Sequence, residues 1–206
     1  MNLAADPELD LFEFLQIFLD SAAQLLLVFC IVFFFGIMEL PLKRLDAQVN
    51  VLDKAIHMAV EDLFSATNFI IDNAEELKTN PKNLVISGSS AGAISVIQAE
   101  YEIANQTKWA KSLPTDFNYA GVMSFAGAIF SREGKVDFKT RPCPVMMLHG
   151  TADAIVPYTQ IAVLNLGFFG GGKLVERFKK HDLNYNMYHF IDYGHEIAGS
   201  MYSTLD

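Results

Sequence analysis

A chain of 206 residues, 51% hydrophobic and 19% charged, has apolar surface enough for one compact core and does not have the composition of a disordered chain. Its 24 acidic residues outnumber the 15 basic ones, giving a net charge of −9. Because Lys43-Arg44 and Lys179-Lys180 are isolated doublets, that balance argues against a nucleic-acid partner, which needs clustered cations. Cys30 and Cys143 form neither a metal-binding C-x-x-C nor a disulfide framework and read as buried thiols.

Residues 1–50 form an atypical hydrophobic segment ahead of a body at 51–206. The stretch 21–38 (SAAQLLLVFCIVFFFGIM) carries no charge and reaches the lower length limit of a membrane helix. Lys43 and Arg44 would then favour a cytoplasmic body. A typical signal peptide does not fit, since residues 1–20 hold five acidic groups and no Lys or Arg. The other reading is a buried parallel strand, because Val28–Phe35 is rich in β-branched and aromatic residues.

From Val51 the pattern alternates. Val51–Leu77 has helical spacing and ends before Asn80-Pro81; Asn83–Ile86 reads as a strand, and Ala91–Asn105 as a helix. Tyr119–Phe125 and Pro144–Leu148 read as strands. Ile161–Lys180 reads as a helix interrupted by Gly167 and Gly170-Gly171-Gly172, and Asn186–Ile191 as the last strand. Strands separated by helices imply an α/β fold, a mostly parallel sheet with flanking helices. The glycine run lacks Walker spacing and reads as a flexible helix break. Phe168-Phe169 reads as core packing, with an acyl pocket as the other possibility.

Gly88-Ser89-Ser90-Ala91-Gly92 matches G-x-S-x-G between an expected strand and an expected helix. A nucleophilic serine on so sharp a turn needs small flanking residues, and a helix starting at Ala91 would aim N–H groups at a developing oxyanion. The serine then needs a base. His57 lies mid-helix, His149 ends a strand where it fixes a turn by hydrogen bonding, His181 sits in a polar loop, and His189 lies within the last strand. His195 follows that strand in a short loop, at the carboxyl end where open α/β sheets gather their sites. Asp153, in HGTADAIVP, follows the preceding strand; Asp192 is its rival but is too near His195 in sequence. The order Ser90, Asp153, His195 is that of a hydrolase triad.

The segments NLVISGSSAGA, PVMMLHGTADAIVPY and YGHEIA resemble the elbow, acid loop and histidine loop of α/β-hydrolase esterases of the carboxylesterase/lipase type, with acetyl and feruloyl esterases among the nearer relatives. The resemblance implies Ser90 as nucleophile, His195 as base, Asp153 as acid and the Ala91 N–H as one oxyanion donor. It implies no metal or organic cofactor, and a small-molecule or polysaccharide-linked ester as substrate.

The sequence departs from that family at its amino-terminal half, where several strands are missing. The family's H-G-G-G loop, which supplies the second oxyanion donor, is absent too; Val28–Gly36 is its nearest counterpart. Loss of one such donor costs about 10²–10³ in turnover. Besides a serine esterase, the sequence therefore admits a non-catalytic remnant and, lower in rank, an oligopeptidase-like serine peptidase.

Overall fold

The computed structural model describes residues 42–163 and 165–200. The stretch 21–38, Cys30 and the Val28–Gly36 counterpart of the glycine loop lie outside the described residues. Among the described residues, no helix is long and apolar enough to cross a membrane.

Helix α1 (Leu42–Asp72) begins before the expected Val51. The apolar stripe explains this, since Val49 continues the spacing of Leu52, Ile56, Val60 and Phe64, all buried. It stops short of Leu77, where the Asn73 side chain donates to the Phe69 carbonyl at 2.8 Å and the chain turns. Each large side chain buried in this way contributes roughly 1.5–3 kcal/mol relative to exposure.

The expected mostly parallel sheet with flanking helices is the observed architecture. Strands β1 (Val85–Ser89), β2 (Gly121–Phe125), β4 (Val145–Gly150) and β7 (Tyr185–Phe190) form one parallel sheet in the order β1-β2-β4-β7. Their registers align Ser89 with Phe125, Phe125 with Leu148, and Gly150 with Phe190. The carboxyl ends of all four strands therefore reach one edge together.

Alternate residues separate the two faces of this sheet. Ile86, Val122, Val145, Met147 and Met187 face the main core, which α1, α2 (Ala91–Ala104) and α3 (Gly171–Lys180) complete. Phe125 and Leu148 face the other way, onto Ile197 of the 3₁₀ turn His195–Gly199. That second face leaves Val85 and Tyr188 about half exposed, at 55% and 49%.

The expected helix over 161–180 is corrected. Strands β5 (Gln160–Val163) and β6 (Leu166–Gly170) form an antiparallel hairpin, and β3 (Ala128–Ser131) pairs with β6. Only Gly171–Lys180 is helical. Apolar runs this short carry both periodicities, and tertiary pairing decides between them. Phe168 and Phe169 are buried in the main core. The Gln98 amide supports β3, accepting the Phe130 N–H at 3.0 Å and donating to its carbonyl at 3.2 Å. A buried backbone pair is thus satisfied by a side chain instead of a neighbouring strand.

Candidate active site

Ser90 sits between β1 and α2 with φ 53° and ψ −115°, a left-handed conformation that costs a non-glycine residue about 1–3 kcal/mol. Its surroundings over-determine it. The Ser90 N–H donates to the Phe125 carbonyl at 2.9 Å, and its own carbonyl accepts the Ile94 N–H at 3.0 Å. The Ser89 hydroxyl donates to the Ala198 carbonyl at 2.6 Å, tying the turn to the segment after His195.

The two flanking glycines have different roles. A Cβ on Gly88 would lie 2.3 Å from the Gly92 carbonyl oxygen, so strand and helix approach this closely only because residue 88 has no side chain. A Cβ on Gly92 meets no described atom within 4 Å. Ala91 is the first residue of α2, where backbone N–H groups lack intrahelical acceptors.

Asp153 follows β4 and His195 follows β7. The two loops meet because Gly150 lacks a side chain: a Cβ there would lie 2.3 Å from the carbonyl oxygens of both Tyr193 and Gly194. Backbone bonds from the Thr151 N–H to the Phe190 carbonyl and from the Ala152 N–H to the Tyr193 carbonyl, each 2.9 Å, close the junction.

The three side chains form one hydrogen-bonded line. Ser90 Oγ lies 2.7 Å from His195 Nε2, and His195 Nδ1 lies 2.9 Å from Asp153 Oδ2. The Asp153 side chain is fully sealed and that of His195 is 16% exposed, while Ser90 is half-buried. Asp153 Oδ1 accepts the Ile155 and Val156 N–H groups at 2.9 and 3.0 Å. Burial pushes the Asp153 carboxyl up, but hydrogen bonds from His149, His195 and the Ile155 amide outweigh it and hold the group well below the usual carboxylate range. A sealed, ionised acid therefore faces the inner nitrogen of a ring whose outer nitrogen meets a reachable hydroxyl.

The remaining candidates lie elsewhere. Asp192 is exposed at φ 61°, its N–H donating to Thr151 Oγ1 at 2.9 Å. His189 Nδ1 lies 2.6 Å from the Tyr158 hydroxyl, and exposed His181 lies 3.9 Å from Asp137. His57 stacks on Trp109 between Asp53 and Glu102. His149 reaches both Val156 and Asp153, a contact to the acid that sequence reasoning missed. A cleft of about 310 Å³ opens beside His57 and Glu102 and includes none of Ser90, Asp153 and His195. Among the described residues no cluster of His, Cys, Asp and Glu is arranged to hold a metal ion.

No family model and no curated protein matches the chain. Solved structures similar to it include an α/β-hydrolase enzyme from a Medee basin deep-sea metagenome library, at 20% identity and a TM-score of 0.43 over 68% of this chain and 49% of that one. Esterase B from Lactobacillus rhamnosis is 11% identical with a TM-score of 0.48, over 66% of this chain and 50% of that one. A truncated form of a carbohydrate esterase from gut microbiota is 11% identical with a TM-score of 0.47, over 68% and 62%. The chain thus spans about half to three-fifths of the length of these structures.

Proposed function

We propose that this chain is a serine hydrolase that cleaves carboxylic esters through an acyl-enzyme on Ser90. One observation carries the reading: the unbroken line from the Ser90 hydroxyl through both nitrogens of His195 to the sealed Asp153 carboxylate. Ser90 Oγ attacks the ester carbonyl carbon as its proton passes to His195 Nε2, and Asp153 orients the ring and stabilises the imidazolium. The carbonyl oxygen becomes an oxyanion, for which the Ala91 N–H at the start of α2 is one donor. Collapse of the tetrahedral adduct expels the alcohol, which takes the proton from His195. Water then repeats the sequence from the other side, with His195 accepting its proton, and the carboxylic acid leaves Ser90.

The substrate class follows the resemblance of the three loop motifs, with a small-molecule ester or an acyl group on polysaccharide as the species cleaved. The test is hydrolysis of p-nitrophenyl acetate by the wild type and by Ser90→Ala. Turnover by the wild type alone supports the reading; equal rates for the two proteins contradict it.

A further inference from the structure

His149 is fully buried, at 1% exposure, and the reaction as written gives it no part. Its surroundings assign its proton. Nδ1 accepts the Gly171 N–H at 3.3 Å, and a nitrogen that accepts carries no hydrogen. Nε2 must then carry it, which agrees with its neighbours, since the Val156 carbonyl oxygen lies 3.1 Å away and Asp153 Oδ2 3.3 Å away. Both of those oxygens are acceptors. Protonation of Nδ1 would set that proton against the Gly171 N–H, which opens α3 at the positive end of the helix dipole.

We propose that His149 is a positioning residue for the Asp153–His195 pair: a neutral imidazole whose Nε2–H, bonded to the Val156 carbonyl, also faces Asp153 Oδ2 and so fixes the acid loop beside the His195 Nδ1–H. This rests on the serine-hydrolase reading. The acid then has Oδ1 held by the Ile155 and Val156 amides, and Oδ2 bonded to His195 Nδ1 with His149 Nε2 3.3 Å away. A carboxylate held in this way does not rotate away from His195. It also shares Oδ2, so it draws the proton on His195 less strongly than a carboxylate facing that ring alone.

The glycine run between β6 and α3 makes the arrangement possible. A Cβ on Gly171 would lie 3.1 Å from His149 Nδ1 and 3.0 Å from Met187 Cε, so a side chain there would crowd the very bond that sets the tautomer. The Gly170 and Gly172 N–H groups donate to the Thr159 and Tyr158 carbonyls at 2.7 and 2.9 Å. Two of the three successive amides thus grip the loop that carries Asp153, and the middle one grips the His149 ring. The other titratable groups near the two rings are Tyr158, edge-on to His149 at 5.6 Å; His189, its partner in β7 register; and exposed Glu196 beside His195.

The experiment compares full-length wild type, His149→Phe and His149→Gln on p-nitrophenyl acetate across the acid limb of the rate profile. In His149→Phe, kcat/KM falls about tenfold and the acid-limb midpoint rises by about half a pH unit. His149→Gln, whose amide both donates and accepts, restores most of the rate and the midpoint. A folded His149→Phe with the wild-type rate and midpoint overturns the proposal while leaving the serine reading intact. Should His149→Phe fail to fold, nitrogen-15 NMR of the wild-type imidazole decides: a bare Nδ1 and protonated Nε2 at neutral pH support the proposal, and the other tautomer or a doubly protonated ring overturns it. Wild type without esterase activity sinks the serine reading instead, and the nitrogen shifts read His149 independently of that result.

Discussion

His195 and His57 both lie against carboxylates, and the contrast between them separates an imidazole that also meets a hydroxyl from one with acceptors on both nitrogens. His195 meets one carboxylate through Nδ1 and a hydroxyl through Nε2. His57 meets acceptors on both sides: the Asp53 backbone carbonyl at 2.8 Å and carboxylate at 3.3 Å on Nδ1, and Glu102 at 3.5 Å on Nε2. Its ring also stacks on Trp109 at 4.2 Å. Burial lowers the His57 pKa, yet hydrogen bonds to Asp53 and Glu102 outweigh it and raise the group to about 9. An imidazole bonded on both nitrogens to acceptors keeps its proton. One facing a hydroxyl has a partner with which to exchange it.

The largest expected effect breaks the His195 side of that contrast. His195→Ala should lower kcat for p-nitrophenyl acetate by about 10⁴-fold or more, because the serine loses its only proton acceptor in the line. Asp153→Asn should lower kcat about 10⁴-fold with the fold intact, since an amide in place of the carboxylate misdirects the ring and no longer stabilises its cation. Circular dichroism alongside the rates separates this loss from unfolding.

A smaller effect tests the support of the acid loop. A Cβ on Gly170 would lie 1.7 Å from the Pro157 carbonyl oxygen, which is backbone and cannot step aside. Gly170→Ala should cost about 2–3 kcal/mol in denaturant unfolding and reduce kcat with it.

The smallest effect on activity comes from the His57 side. His57→Gln should leave turnover within about twofold of wild type while costing about 1–2 kcal/mol of stability near neutral pH. Its pH dependence has a defined sign. The folded-state pKa of His57 is raised from 6.5 to about 9, so its contribution is complete below 6.5 and is lost as pH rises through 9. The gap in unfolding free energy between wild type and His57→Gln should therefore narrow across that window. A gap that widened with pH would show His57 to be neutral in the folded protein.

The parts of the fold readable in the sequence are those where local and global signals agree. The parallel strands and α2 alternate cleanly, and G-x-S-x-G lies at a strand–helix junction that both patterns favour. The β5–β6 hairpin was hidden because Ile161, Leu166, Phe168 and Phe169 satisfy helical spacing as readily as strand alternation. The glycine run read as flexibility because a sequence records missing side chains but not what presses against the backbone. Here Pro157, Tyr158 and His149 do so. His149 was legible as a turn-fixing residue through its bond to Val156. Its contact with Asp153 depends on how the loop folds back over four residues, which no spacing rule supplies.

An activated Ser90 hydroxyl reacts with a fluorophosphonate probe, which an unactivated serine does not. Labelling followed by peptide mapping should find the phosphonyl group on Ser90, absent in Ser90→Ala and slowed in Asp153→Asn. Folded wild-type protein left unlabelled at Ser90, or labelled at the same rate without the Asp153 carboxylate, would contradict the account.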